Sequence, residues 1–165
     1  MSKVIYDQIV QYILDNQENF YRLAYSYTKE QESALDVVQS AICKALEEYR
    51  TLKSIDIVKT WFYRILVSEC LEYLQIQKQE TLVEPEKWIV GSYLEPAFES
   101  DKSLYEKLQL LPVETKSIIV LHFFEEMTLR EISEITGINL NTVKSKLYSG
   151  LRKLKVAMKK EEASS

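Results

Sequence analysis

Between Thr128 and Leu154 the chain spells two helices and the corner that joins them, TLREISEITGINLNTVKSKLYSGLRKL. Leu129, Ile132 and Ile135 recur at helical spacing, and Thr128 with Glu131 forms the T-x-x-E pattern of a capping box ahead of them. Gly137 follows the last apolar residue, where a helix stops by entering the left-handed region that Gly adopts most cheaply. After Ile138 a second helix opens, capped by Asn139 or Asn141. Its apolar face is Val143, Leu147, Leu151 and Leu154. A short helix, a Gly-bearing turn and a longer basic helix predict a helix-turn-helix, whose second helix has the dimensions of a DNA major groove.

The side chains off that apolar face have the chemistry such a groove requires. Thr142, Lys144, Ser145, Tyr148 and Ser149 lie near the start of the helix, where base edges are closest. Lys can bond the O6 and N7 of guanine, and Ser and Thr hydroxyls suit several bases. Lys146, Arg152, Lys153 and Lys155 are placed to hold phosphates. Charge is distributed in the same sense. Residues 127–160 hold eight Lys/Arg against two Asp/Glu, whereas residues 1–126 hold thirteen against twenty-one, within a total of −4. A basic module at one end of an acidic chain predicts phosphate binding there and protein contacts elsewhere.

Three Gly and three Pro in 165 residues are too few for the turns of a β-rich fold, so the expected class is all-α. No apolar run nears the roughly 20 residues of a membrane span, and the first residues, MSKVIYDQ, do not resemble a secretory signal. A cytoplasmic protein with no membrane insertion is expected. Cys43 and Cys70 lack metal-ligand spacing and are expected as small buried hydrophobes, so neither a metal nor another cofactor is expected.

Periodicity places a first helical region over 3–27, with Ile5, Ile9, Tyr12, Ile13, Phe20, Leu23, Ala24 and Tyr27 as its packing face. A second helix is predicted from about Gln31 to Tyr49, with Ala34, Val37, Val38, Ala41, Ile42, Ala45 and Leu46 as its stripe. Residues 51–59 read as a loop or broken turn, and a third helix opens at Thr60. Trp61, Ile65, Leu66, Ser68, Cys70, Leu71 and Leu74 supply its packing surface. The stretch that follows holds Pro85, Pro96, Gly91 and five acids against one Lys in residues 81–101, which predicts a flexible acidic linker. A helix from Ser103 leads to Leu111-Pro112, Val113–Phe124 forms the next, and 161–165 is a polar tail. The predicted architecture is two small helical domains, 1–80 and 102–160, joined by a linker at 81–101.

Two separated sets of motifs coincide with one family. Leu111-Pro112, Leu121-His122-Phe123-Phe124, Glu131-Ile132-Ser133, Ile135-Thr136-Gly137 and Thr142-Val143-Lys144-Ser145-Lys146-Leu147 follow region 4 of the sigma-70 family. Phe20-Tyr21-Arg22-Leu23-Ala24, Ala34-Leu35-Asp36-Val37-Val38-Gln39 and Trp61-Phe62-Tyr63-Arg64-Ile65-Leu66 look like regions 2.1, 2.2 and 2.3. In order and spacing the chain resembles an extracytoplasmic-function sigma factor, a two-domain promoter-specificity subunit of bacterial RNA polymerase. It departs from the family's pattern at Ser40, Ser68, Asn141 and Tyr148-Ser149-Gly150, and His122 stands where an Arg is common.

The resemblance implies a transcription initiation factor of the stress-response kind. Core RNA polymerase (clamp helices and flap), promoter DNA and an anti-sigma factor, often membrane-anchored, would be its partners. Thr142, Lys144, Ser145, Lys146, Tyr148, Ser149, Arg152, Lys153 and His122 would then meet the −35 element. Lys53, Ser54, Lys59, Trp61, Tyr63 and Arg64 would capture the −10 element, where an unstacked base needs an aromatic or polar pocket; Trp61 reads equally as a core anchor. Asp36, Val37, Gln39 and Ser40 would grip the polymerase, with core packing the other reading of Val37. No enzymatic constellation is present: there is one His, no Gly-rich phosphate loop and no metal spacing. The competing class is a free-standing helix-turn-helix repressor or activator, which reads paired half-sites as a dimer.

Overall fold

The computed structural model describes residues 2–81 and 107–164, and side chains within 3–78 and 107–157. Among the described residues every regular element is helical: α1 (Ser2–Asp15), α2 (Gln17–Thr28), α3 (Gln31–Glu47), α4 (Val58–Thr81), α5 (Val113–Ile119), α6 (Leu129–Thr136) and α7 (Leu140–Ser164). The predicted linker at 81–101 and the start of the helix from Ser103 lie outside them, apart from Thr81, which ends α4.

The first helical region is two helices, not one. Asn16 breaks it, with φ −126° and ψ 19°, and its Nδ2 donates to the Tyr12 carbonyl at 2.7 Å. A short amide side chain that bonds nearby backbone competes with the helix in this way. α3 ends at Glu47 rather than Tyr49, and the following residues tighten into 3₁₀ turns at Tyr49–Thr51 and Ile55–Ile57. Ser54 caps the second turn by accepting from the Asp56 amide at 3.2 Å. α4 therefore opens at Val58, two residues before Thr60.

The N-terminal core forms where α2, α3 and α4 meet. Phe20 and Phe62 stack with ring centroids 4.3 Å apart, and Tyr12 leans on both. Ala34, Ala41 and Ala45 are fully buried on α3, and small residues there let neighbouring helices approach. Each fully buried Leu, Ile or Phe contributes about 1.5–3 kcal/mol of burial. Phe62 and Tyr63 are buried, while Ser68 and Leu71, expected on the packing face, are exposed. Cys70 is buried as expected, but Cys43 is exposed, because its position on α3 falls outside the stripe.

In the C-terminal part Leu108, Ile118, Leu121, Ile132, Val143 and Leu147 form the core. α5 does not continue as an α-helix to Phe124. Residues Val120–Phe124 widen into a π turn, closed by the Glu125 amide on the Val120 carbonyl at 3.1 Å. Glu126 then takes φ +56°, an uncommon conformation for a side-chain-bearing residue. α7 runs to Ser164, through residues read from sequence as a polar tail; past Gly150 it meets no Gly or Pro to stop it. Gly150 is where α7 crosses α5: a Cβ there would lie 2.6 Å from Thr115 Cγ2 and 2.8 Å from Ile119 Cδ1. α2 and α4 also pack on α5, the π turn and α6, so the two predicted domains meet directly.

Candidate nucleic-acid interfaces

The helix-turn-helix is built by local hydrogen bonds that its own sequence supplies. Thr128 Oγ1 accepts from the Glu131 amide at 3.1 Å, and Glu131 Oε1 accepts from the Thr128 amide at 2.9 Å, which is the capping box. Gly137 stops α6 with φ +77°. Ser133 Oγ donates to the Ile138 carbonyl at 2.6 Å across the corner. Asn139, not Asn141, caps α7: its Oδ1 accepts from the Asn141 amide at 2.8 Å.

α7 buries Val143, Leu147 and Leu154 and leaves Thr142, Lys144, Ser145, Tyr148, Arg152 and Lys153 exposed. These six form the accessible part of the predicted −35 set. The other three are partly engaged within the chain. Lys146 Nζ lies 3.1 Å from Glu114 Oε1 on α5, and Ser149 is half-buried. His122 is half-buried, its Nδ1 is 2.8 Å from the Met127 carbonyl, and its ring meets Phe123 edge-on. Those contacts tie His122 to the turn that precedes α6.

The head of α4 carries the predicted −10 set and is arranged differently. Lys53 is exposed, and Ser54 is spent on its cap. Trp61 Nε1 donates to Thr51 Oγ1 at 2.9 Å, which pins the α4 head to the preceding turn. The remaining three bond the C-terminal part. Tyr63, 1% exposed, donates its hydroxyl to Glu125 Oε1 at 2.7 Å. Lys59 Nζ donates to the Glu125 carbonyl, and Arg64 Nη2 to the Glu134 carbonyl at 2.9 Å.

Glu125 and Arg22 are the residues that sequence reading missed. Glu125 is 3% exposed, and Arg22 Nη2 lies 3.1 Å from its Oε2. The Arg22 guanidinium also sits over the Phe124 ring at 4.8 Å, a cation–π contact. Burial pushes the Glu125 carboxyl up, against the opposing pull of Tyr63, Arg22 and Lys59. Burial, then the Glu125 charge, push the Tyr63 hydroxyl up. Arg22 Nε is buried without a hydrogen-bond partner among the described residues, a cost of this packing. The only sequence signal for Glu125 is an acid abutting the apolar run Ile118–Phe124; its partners are 62 and 103 positions away.

A third surface lies on α3. Asp36, Gln39, Ser40, Cys43, Lys44 and Glu47, with Glu69 and Glu72 of α4, line an open groove of about 510 Å³. Lys44 Nζ bridges it to Glu69 at 3.2 Å. Asp36, Gln39 and Ser40 of the predicted polymerase set face this groove, whereas Val37 is 5% exposed and belongs to the core. Among the described residues no group of His, Cys, Asp or Glu is placed to hold a metal ion, and no helix is long and apolar enough to cross a membrane.

Fold and surfaces together define a two-part helical protein whose C-terminal part presents a basic helix-turn-helix. Known families match both parts: "Sigma-70 region 2" over residues 13–80 and "Sigma-70, region 4" over 101–154. The chain is 42% identical over 156 residues to the RNA polymerase sigma factor SigV of Bacillus subtilis, covering 94% of each. It is 26% identical to the ECF RNA polymerase sigma factor SigW of the same organism, over 84% of this chain and 82% of that one. Among solved structures it resembles the sigma factor RpoE of Bartonella quintana, determined with the anti-sigma factor NepR, at 20% identity and a TM-score of 0.79 over 90% of this chain and 95% of that one. CnrH, determined with the cytosolic domain of CnrY, matches at 16% identity and a TM-score of 0.67 over 99% of both chains. The chain belongs to the sigma-70 family of RNA polymerase sigma factors, in its extracytoplasmic-function group.

Proposed function

We propose that this chain is an alternative sigma factor, which binds core RNA polymerase and directs it to a specific set of promoters. The observation that carries this reading is the presence of regions 2 and 4 in family order, with 42% identity to one sigma factor across 94% of both chains. The exposed face of α7, with Thr142, Lys144, Ser145, Tyr148, Arg152 and Lys153, is read as the −35 contact. Lys53 and Ser54 in the turn before α4, with Lys59, Trp61, Tyr63 and Arg64 at its head, are read as the −10 contact. The α3 groove with Asp36, Gln39 and Ser40 is read as the polymerase grip.

The protein would work in the cytoplasm. It performs no chemistry of its own on this reading, since promoter opening draws on binding energy and the polymerase joins nucleotides. Residues 1–80 and 102–160 are taken as the working units, with 81–101 as their tether. The RpoE relative was determined with an anti-sigma factor and CnrH with the cytosolic domain of CnrY, which supports a protein inhibitor as a further partner here. Run-off transcription with purified bacterial core polymerase on genomic fragments tests the proposal. Discrete start sites that require both proteins are expected. A protein that instead binds duplex DNA alone, as a dimer, and gives no polymerase-dependent transcript is a repressor or activator.

A further inference from the structure

The corner between α6 and α7 turns on one residue whose backbone is held from both sides. Thr136 Oγ1 accepts from the Ile138 amide at 3.2 Å and donates to the Ile132 carbonyl at 2.7 Å. Ser133 Oγ donates to the Ile138 carbonyl at 2.6 Å. Both polar backbone groups of Ile138 are thus bonded to side chains of the preceding helix. Packing alone leaves this residue room to move. Thr136 and half-buried Ile138 line a cavity of about 180 Å³ whose other walls include Leu71, Leu74 and Val113. A void deprives its lining of contacts, so apolar packing fixes Ile138 poorly on that side. The two hydroxyls, with short and directional bonds, supply the missing constraint.

We propose that Ser133 and Thr136 are positioning residues for −35 recognition: by clamping the Ile138 backbone they set the angle at which α7 enters the major groove. This rests on the −35 reading given above. The base-facing part of α7, from Thr142 to Ser149, lies between two fixed points. One is the clamp, and the other is the crossing at Gly150, where an added Cβ would meet Thr115 and Ile119. Thr142 lies about 12 Å from Gly150 along the helix, at about 1.5 Å per residue. With the clamp loosened, a swing of roughly 10° about the crossing moves Thr142 by about 2 Å. Base-edge geometry tolerates about 0.5 Å. Arg152 and Lys153 sit beside the crossing and move far less, so their phosphate contacts survive. The clamp therefore acts on the choice of sequence more than on attachment to DNA.

The test uses the full chain assembled with core polymerase. The probes are a duplex fragment that supports run-off, the same fragment with each −35 base pair replaced in turn, and a duplex of random sequence. Thr136→Val keeps the shape and removes one hydroxyl, Ser133→Ala removes the other, and the two are combined. The double variant should flatten the preference among −35 replacements about tenfold, the scale of one lost base contact. Its salt slope and its affinity for random duplex should not change. Thr136→Val alone should act in the same direction by less, and should speed hydrogen exchange at the Ile138 amide in the free protein; it decides the matter if the double variant does not fold. Thr136→Ser and Ser133→Thr, which keep a hydroxyl, should retain the preference. An undiminished preference in the folded variants overturns the proposal, as does unchanged Ile138 exchange in Thr136→Val. An equal loss on every duplex, random sequence included, assigns the hydroxyls to stability alone and overturns it too. An unsubstituted holoenzyme with no −35 preference defeats the −35 reading itself, and the proposal with it, before any variant is compared.

Discussion

The heads of α4 and α7 both set Lys, hydroxyl and Tyr side chains against an apolar stripe, yet Tyr63 is 1% exposed and Tyr148 is 58% exposed. At α7 the basic face looks outward because Val143 and Leu147 are buried and the corner before them is closed by short-range bonds. At α4 the equivalent chemistry is turned onto another part of the same chain and neutralised by Glu125. Residue type announces what a surface can bind, and packing decides whether it is available. The α7 set is open to solvent, and half of the α4 set is bonded within the chain.

The comparison breaks most readily through the aromatic pair at the head of α4. Phe62 is fully buried against Phe20, so Phe62→Ala should cost about 3–5 kcal/mol in urea unfolding. Trp61→Ala, at a half-buried ring, should cost markedly less. Equal losses would mean that Trp61 anchors the core as firmly as Phe62.

On the α7 side the support is α5, whose Lys116 is fully buried and bonded to Gln109 at 2.9 Å. Burial, with Lys29 adding repulsion, lowers its pKa to about 7. Between that value and the ordinary lysine range the unfolded chain binds more protons, so stability should rise with pH over about 7 to 10.5. It should fall on acidification towards neutrality, by an amount on the order of a few kcal/mol. Lys116→Met should flatten that dependence in thermal melts recorded across the interval. A retained slope would place its source in another group.

Gly150→Ala forces a methyl to within 3 Å of Thr115 and Ile119 and should destabilise the crossing of α5 and α7 by about 1–3 kcal/mol. A neutral result would show that α7 can shift on its support, and that its groove-facing set is less fixed than that of α4. Among DNA contacts, Lys144→Ala should change −35 preference and cost about 1–3 kcal/mol on the best site. Lys153→Ala should weaken all sites alike and lower the salt slope by about one. Identical profiles across a panel of −35 variants would erase the distinction between reading and holding along α7.

What could be read from sequence follows the range of the interactions involved. Thr128, Glu131, Gly137 and Asn139 act within a few residues, so the C-terminal corner was legible, although the choice between Asn139 and Asn141 was not. Helical stripes located Phe20, Leu23, Ala34, Val38, Ala41 and Leu66 in the core. Periodicity does not report a side chain that bonds across 62 positions, so the sequence places Tyr63 beside a loop, as a candidate for strand capture, and does not single out Glu125. Cys43 was misplaced because a thiol's burial depends on which helix face is covered, and the stripe on α3 stops short of it.

The wide turn at Val120–Phe124 sets the aim of Glu125 by length alone. A π turn amounts to one residue more than an α-helix needs, and each residue advances an α-helix by about 100°. Deleting a single codon within 120–124 would therefore swing the acid roughly a quarter-turn away from Tyr63 and Arg22 while sparing every side chain at the α4 head. The contact between the two parts of the chain would then be tuned by reading-frame-preserving indels, a kind of change that comparisons of substitutions alone would overlook.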